Sequence, residues 1–185
     1  MTAFRLVAAL LLTLLAAPAF AQTAPSATEL RAGLAGRWTG ALGYRDYQTD
    51  RLFEIPVITT IEALPDGVTI IRRSLFDDGP ANPVWITSVS LDDPSTGTTT
   101  SASYRRGQTP ELSTETVRVS AWRDATHWTL IYAETGQDDD APADIRVTET
   151  REGDTLTSVK EVRPVGADET AWRFRNQTRL VRAGD

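Results

Sequence analysis

Beyond Trp38 the chain carries no sustained apolar repeat at helical spacing; apolar and polar positions alternate instead in short runs rich in Val, Ile, Thr and aromatics. Ten such runs predict ten strands: Gly36–Tyr44, Phe53–Ala63, Val68–Phe76, Pro83–Leu91, Thr98–Arg105, Thr114–Trp122, His127–Ala133, Ala143–Arg151, Thr155–Val162 and Thr170–Val181. Turn chemistry separates them. Pro65-Asp66-Gly67, Asp78-Gly79-Pro80, Asp92-Asp93-Pro94 and Glu152-Gly153-Asp154 each combine residues that preset or tolerate turn dihedrals. Pro56 lacks an amide donor and predicts an edge or a bulge in the second strand.

The alternation gives each strand one face for a core and one for water. Trp128, Leu130 and Tyr132 share a face, as do Val117, Val119 and Ala121. In the last strand Trp172, Phe174 and Leu180 fall opposite Arg173, Arg175, Gln177 and Arg179. One wet and one dry face is the pattern of antiparallel sheets. Ten hairpin-connected strands leave two open edges unless the sheet closes, so the expectation is an all-β, antiparallel up-and-down barrel of eight to ten strands. An open sandwich is the alternative.

Ahead of the strands, Thr28 is the expected N-cap for a short helix carrying Glu29, Leu30, Arg31 and Leu34, which Gly33 and Gly36 limit to about two turns. Further upstream, Arg5 precedes an apolar run, Leu6 to Ala17, of about 12 residues, well short of the roughly 20 that a membrane span needs. Pro18 and then Ala19-Phe20-Ala21 form a small-x-small cleavage site before Gln22. The expected organisation is a signal peptide over 1–21, a polar lead-in over 22–27 and a single barrel domain over 28–183. The expected location is periplasmic or secreted, by a bacterial Sec-type route.

Composition removes several functions. The 185 residues carry 19 basic and 25 acidic side chains, a net charge of −6, and the predicted signal takes away only Arg5. That balance opposes nucleic acid and anionic membrane surfaces as partners, since both require concentrated positive charge, and no stable membrane insertion is expected. Lys160 is the sole lysine. Without cysteine there is no thiol catalysis, thiolate metal site or lipid-anchored N-terminal cysteine, and with one histidine a multi-histidine metal site cannot form in one chain.

The stretch Leu34-Ala35-Gly36-Arg37-Trp38-Thr39-Gly40 resembles the Gly-x-Trp entry to the first strand of lipocalins and other calycins. The resemblance implies a barrel floor made by Gly36 and Trp38, with a basic residue of the last strand over the indole: Arg179, or Arg175 as second choice. A guanidinium over an indole would gain cation–π energy while plugging one end. His127-Trp128-Thr129-Leu130, Ile145-Arg146-Val147-Thr148 and Trp172-Arg173-Phe174-Arg175-Asn176 are similar to an uncharacterised family of secreted bacterial proteins with lipocalin-like barrels.

Candidate chemistry is sparse. His127 starts a strand on the face opposite Trp128; a half-exposed structural role is the favoured reading, with a general acid–base role or haem ligation as alternatives. No Gly-x-Ser-x-Gly elbow supplies a nucleophile. Asp138 and Asp140, with Asp139 between them, are the candidates for Ca²⁺, although EF-hand spacing is absent and a solvated hairpin loop accounts for them. One member of Arg72-Arg73 and one of Arg105-Arg106 is expected to face the interior, since strand neighbours alternate. A buried Arg needs an anion, and a protein carboxylate is the favoured partner over a ligand.

The expected function is that of an exported, non-catalytic binding protein holding a small hydrophobic or amphipathic molecule inside the barrel, without a cofactor. Arg72, Tyr104, Trp128 and His127 are the candidate ligand contacts, and Ala102 and Ser120 are expected to be small inward positions. The alternatives are an enzyme built around His127 or a carboxylate pair, and a structural domain with a filled interior.

Overall fold

A computed structural model describes residues 25–46, 51–77, 79 and 83–184. The predicted signal peptide, residues 22–24 of the lead-in, and Asp78 and Pro80 of one predicted turn lie outside the described residues. The elements run α1 (Ala27–Ala32), β1 (Gly36–Asp46), β2 (Arg51–Ala63), β3 (Thr69–Asp77), β4 (Pro83–Asp93), β5 (Thr98–Arg105), β6 (Glu111–Asp124), β7 (His127–Asp138), β8 (Ala141–Glu152), β9 (Thr155–Pro164) and β10 (Arg173–Arg182). Each strand pairs antiparallel with its sequence neighbours, and β1 also pairs with β10, from Trp38↔Arg182 to Tyr44↔Asn176. The sheet is a closed ten-stranded barrel without a free edge. The backbones at the closing seam lie close together: a Cβ on Gly40 would overlap the Arg179 carbonyl oxygen, so only glycine fits there.

Helix α1 begins at Ser26 rather than Thr28. Ser26 Oγ accepts from the Glu29 amide and the Glu29 carboxylate accepts from the Ser26 amide, a reciprocal capping box. Three residues of α1, Thr28, Leu30 and Arg31, together with Leu34 just after it, are buried, so the helix plugs one end of the barrel.

Trp38 closes that end. It is fully buried, and its indole Nε1 donates to the Leu34 carbonyl at 2.8 Å. The guanidinium over it belongs to Arg182, 4.5 Å from the ring, with Arg151 at 5.9 Å. Both arginines also donate to carbonyls just past α1. Arg182 reaches Ala35 at 2.8 Å and Gly33 at 3.0 Å, and Arg151 reaches Gly33 at 3.0 Å. Arg179 does not cap the ring, because its position on β10 has the opposite parity and its side chain is exposed. Arg175 is at the other end of the strand, where it pairs with Asp138 and Asp139. Gly36 completes the floor with φ +134°, where a Cβ would lie 2.7 Å from Arg182 Nη1.

Three register shifts, two in β6 and one in β10, reset the predicted alternation. In β6 the register slips between Val119 and Ala121, which puts Ala121 on the outer face with Ser120 and turns Trp122 toward Trp128, and it slips again between Trp122 and Asp124. In β10 it slips between Phe174 and Asn176, so Phe174 and Trp172 do not share the inward face of Leu180. Trp172 lies instead against Arg146 and Arg163, at 4.3 and 4.6 Å.

The floor geometry has a direct energetic consequence. Trp38→Ala should cost about 3–5 kcal/mol in chemical unfolding, as large-to-small core changes do. Arg182→Ala should cost about 1–3 kcal/mol through lost hydrogen bonds and stacking, and Arg179→Ala less than about 0.5 kcal/mol. Equal losses for the two arginines would contradict the assignment of the cap to Arg182.

Candidate functional site

The barrel interior combines an apolar floor with a charged middle. From the plug helix, Arg31 is buried against the Asp92 carboxylate and Thr99 Oγ1, and stands 5.7 Å from the Tyr132 ring. From β3, Arg72 Nη2 donates to Glu149 Oε2 at 3.2 Å, while the Tyr132 hydroxyl donates to Glu149 Oε1 at 3.2 Å. Glu149 therefore has both oxygens occupied and its side chain is only 4 % exposed, whereas 34 % of the Arg72 side chain remains accessible. Burial, and then the Glu149 charge, push the Tyr132 phenol well above its ordinary value, so it remains a donor.

Two cavities share Arg72, Glu149, Ser88 and Ser158 as a common wall. The first, of about 170 Å³, is apolar along Val57, Phe76, Ile86, Leu156 and Leu180. The second, of about 150 Å³, is more polar and brings Arg31, Tyr132, Ser90 and Glu115 together. Cavities of roughly 150 Å³ accept a benzene-sized group.

Glu115 is unlike the other interior acids. Burial, and then the nearby Glu134 carboxylate, raise it to about 7 against the lowering pull of Arg31 and Lys160. Among the described residues no hydrogen bond reaches its carboxyl. Burial also raises Glu134, and Lys160 opposes the shift.

The predicted site residues divide between lumen and surface. Arg72 faces the lumen and Arg73 faces out to Glu62, so strand alternation separates that arginine pair as expected, with a protein carboxylate as partner. It does not separate Arg105 from Arg106, both exposed at the end of β5. Trp128 is 2 % exposed, donates to the Ala125 carbonyl and belongs to the floor core rather than to a cavity wall. Tyr104 has outward parity and is 49 % exposed. Ala102 pairs with Val89 and Leu112 on the outer face, and Ser120 is exposed beside its bulge, so neither is an inward position.

His127 also points away from the lumen, since Trp128 next to it points in. Its Nδ1 lies 2.9 Å from Asp124 Oδ1, and this contact, with the Thr126 amide and hydroxyl, holds the Asp124 carboxyl far below its usual range. Asp138 is engaged by Arg175, and Asp139 and Asp140 form the β7–β8 turn with φ of 50° and 60°. Among the described residues no group of three or more His or carboxylate side chains is placed to hold a metal.

Arg31, Glu115, Glu149, Arg151 and Arg182 are interior residues that the sequence pattern did not single out. For the four that lie on strands, the signal that could have found them is parity. Glu149 and Arg151 fall in step with Ile145 and Val147, Glu115 with Val117, and Arg182 with Leu180. A charge on the dry face of a strand has either a buried partner or a function.

No protein-family model matches the chain, and no curated protein matches it. Among solved structures, Rv2717c from M. tuberculosis aligns over 86 % of this chain and 100 % of its own, with 18 % identity and a TM-score of 0.56. A protein of unknown function from the DUF3598 family of Nostoc punctiforme aligns over 86 % and 100 %, with 9 % identity and a TM-score of 0.27, too distant to bear on the fold. At 18 % identity the first likeness establishes a shared barrel and nothing about the residues within it.

Glu115 makes stability depend on pH. The unfolded chain loses this proton near 4.5 and the folded chain near 7, so the folded state binds more protons in between, and stability falls as pH rises through that window. Replacing Glu115 by Gln should remove a loss of about 2–3 kcal/mol between those limits. The check is urea unfolding of both proteins across the range; parallel curves would mean that Glu115 titrates normally.

Proposed function

We propose that this is an exported, calycin-like barrel that binds a small amphipathic molecule in its lumen. The observation that carries the reading is the pair of adjoining cavities. One offers an apolar wall of Val57, Phe76, Ile86, Leu156 and Leu180, and the other offers Arg31, Tyr132, Ser90 and Glu115. A ligand with an apolar body and a polar head matches that division, its head beside the Arg72–Glu149 pair and the Ser88 and Ser158 hydroxyls. Pockets for small molecules combine apolar walls with a few convergent polar groups in this way. The likeness to Rv2717c supports the barrel and leaves the ligand to the chemistry of the lumen.

The alternative of an enzyme centred on His127 draws no support from the geometry, because that ring faces Asp124 on the outside of the wall. A purely structural barrel would fill its middle with side chains, as small barrels do, rather than keep cavities beside charged groups.

The binding test uses N-phenyl-1-naphthylamine, an uncharged apolar dye whose emission rises on leaving water. It should bind at near 1:1 stoichiometry. Ser88→Phe, which fills the wall common to both cavities, should weaken binding by about tenfold or more, equivalent to about 1.4 kcal/mol. Ala102→Phe, on the outer face, should leave it unchanged. Binding indifferent to Ser88→Phe would move the site to the surface and end the lumen reading. Export has its own check: protein from the native host should begin at or near Gln22, and an intact Met1 would overturn it.

A further inference from the structure

We propose that the head group taken by the lumen is a cation, a protonated amine, seated at Glu115 in the second cavity, with Glu134 on the adjacent strand adding a second negative charge beside it. This rests on the lumen-binding reading and adds the sign of the ligand's charge.

Two of the interior cations already own a carboxylate: Arg31 pairs with Asp92, and Arg72 with Glu149. An entering anion at Arg72 competes with Glu149 for the guanidinium, and full displacement breaks their pair. That would leave a carboxylate 4 % exposed without its cation, an outcome that is strongly unfavourable in a buried pair. An entering ammonium breaks no existing pair.

The unmet demand around the second cavity is for donors, while the other unpartnered buried atom, the donor Trp122 Nε1, does not line it. Glu115 carries no hydrogen bond among the described residues, and Asp92 Oδ2, fully buried beside Arg31, has no partner among them either. Glu115 and Glu134 stand on adjacent strands one step beyond the Thr116↔Ala133 pair, so they are cross-strand neighbours of like charge. The charged or titratable groups facing them are Arg31 from α1, Arg72 from β3, Tyr132 from β7, Glu149 from β8 and Lys160 from β9, with Asp144 of β8 and Arg163 of β9 lining the more open pocket that both glutamates also border. Lys160 is the one of these cations without a carboxylate within ion-pair distance among the described residues, and it acts on both acids through space. One lysine does not neutralise two glutamates, and burial has raised both of them. An alkylammonium brings one positive charge and three N–H donors to that position, and charge-assisted bonds of this kind are about twice as strong as neutral ones. Its alkyl chain then runs into the apolar cavity along Phe76, Ile86 and Leu180.

The test is displacement of N-phenyl-1-naphthylamine by octylamine, octanol and octanoate, which share a chain and differ in head-group charge. At pH 8 octylamine should displace the dye at about tenfold lower concentration than either of the others. At pH 6 the preference should shrink as Glu115 takes up its proton, although octylamine stays charged throughout. Glu115→Gln should abolish the preference at pH 8 while octanol affinity is retained, and Glu134→Gln should weaken it independently. Octanoate displacing the dye as well as octylamine, or an amine preference unchanged in both variants, would overturn the proposal. Failure of the dye itself to bind would instead overturn the lumen reading on which it rests.

Discussion

The stack of Arg182 on Trp38, tied to the end of the plug helix, is the contact on which the rest of the barrel depends. Trp38 fills the closed end, its Nε1 bonded to Leu34, while Arg182 and Arg151 satisfy carbonyls at Gly33 and Ala35. Those carbonyls would otherwise lack partners, because a six-residue helix has few internal bonds to spare. The same two guanidiniums thus cap the helix and cover the indole. β1, β8 and β10 each contribute one side chain, so helix, first strand and last strand are held at the place where the sheet closes.

That fixed end governs the charged middle. Anchoring α1 carries Arg31 into the barrel, where Asp92 and Thr99 receive it and where it faces Tyr132. Across the lumen Glu149 gathers Arg72 and the Tyr132 hydroxyl. The result is a network linking α1, β3, β4, β5, β7 and β8. Polar groups in an environment of low dielectric constrain geometry strongly when satisfied and are expensive when not. Within this network the satisfied members set the shape of the cavities, and the unsatisfied ones, Glu115 and Asp92 Oδ2, mark where a ligand would add most.

Local pattern was sufficient for the architecture. Period-2 alternation placed all ten strands, because a half-buried antiparallel strand imposes that period on its own residues. Closure came from the cost of leaving two edges open. Parity also separated Arg72 from Arg73, a purely local consequence of the pleat.

Which charges meet was settled at the tertiary level. Register shifts near Ser120, Arg123 and Arg175 flip the faces of the residues around them, and no residue type announces them, so a strict period of two puts Ala121 and Phe174 on the wrong side. Arg182 rather than Arg179 covers Trp38 because the register of β1 on β10 places it opposite Trp38. Arg31 with Asp92 and Arg72 with Glu149 lie 61 and 77 residues apart, and Glu115 acquires its character from neighbours on four other elements. Alternation records which way a side chain points. Which partner waits for it across the lumen depends on strand tilt, bulge position and the seating of the plug helix, and these exist only once the barrel has closed.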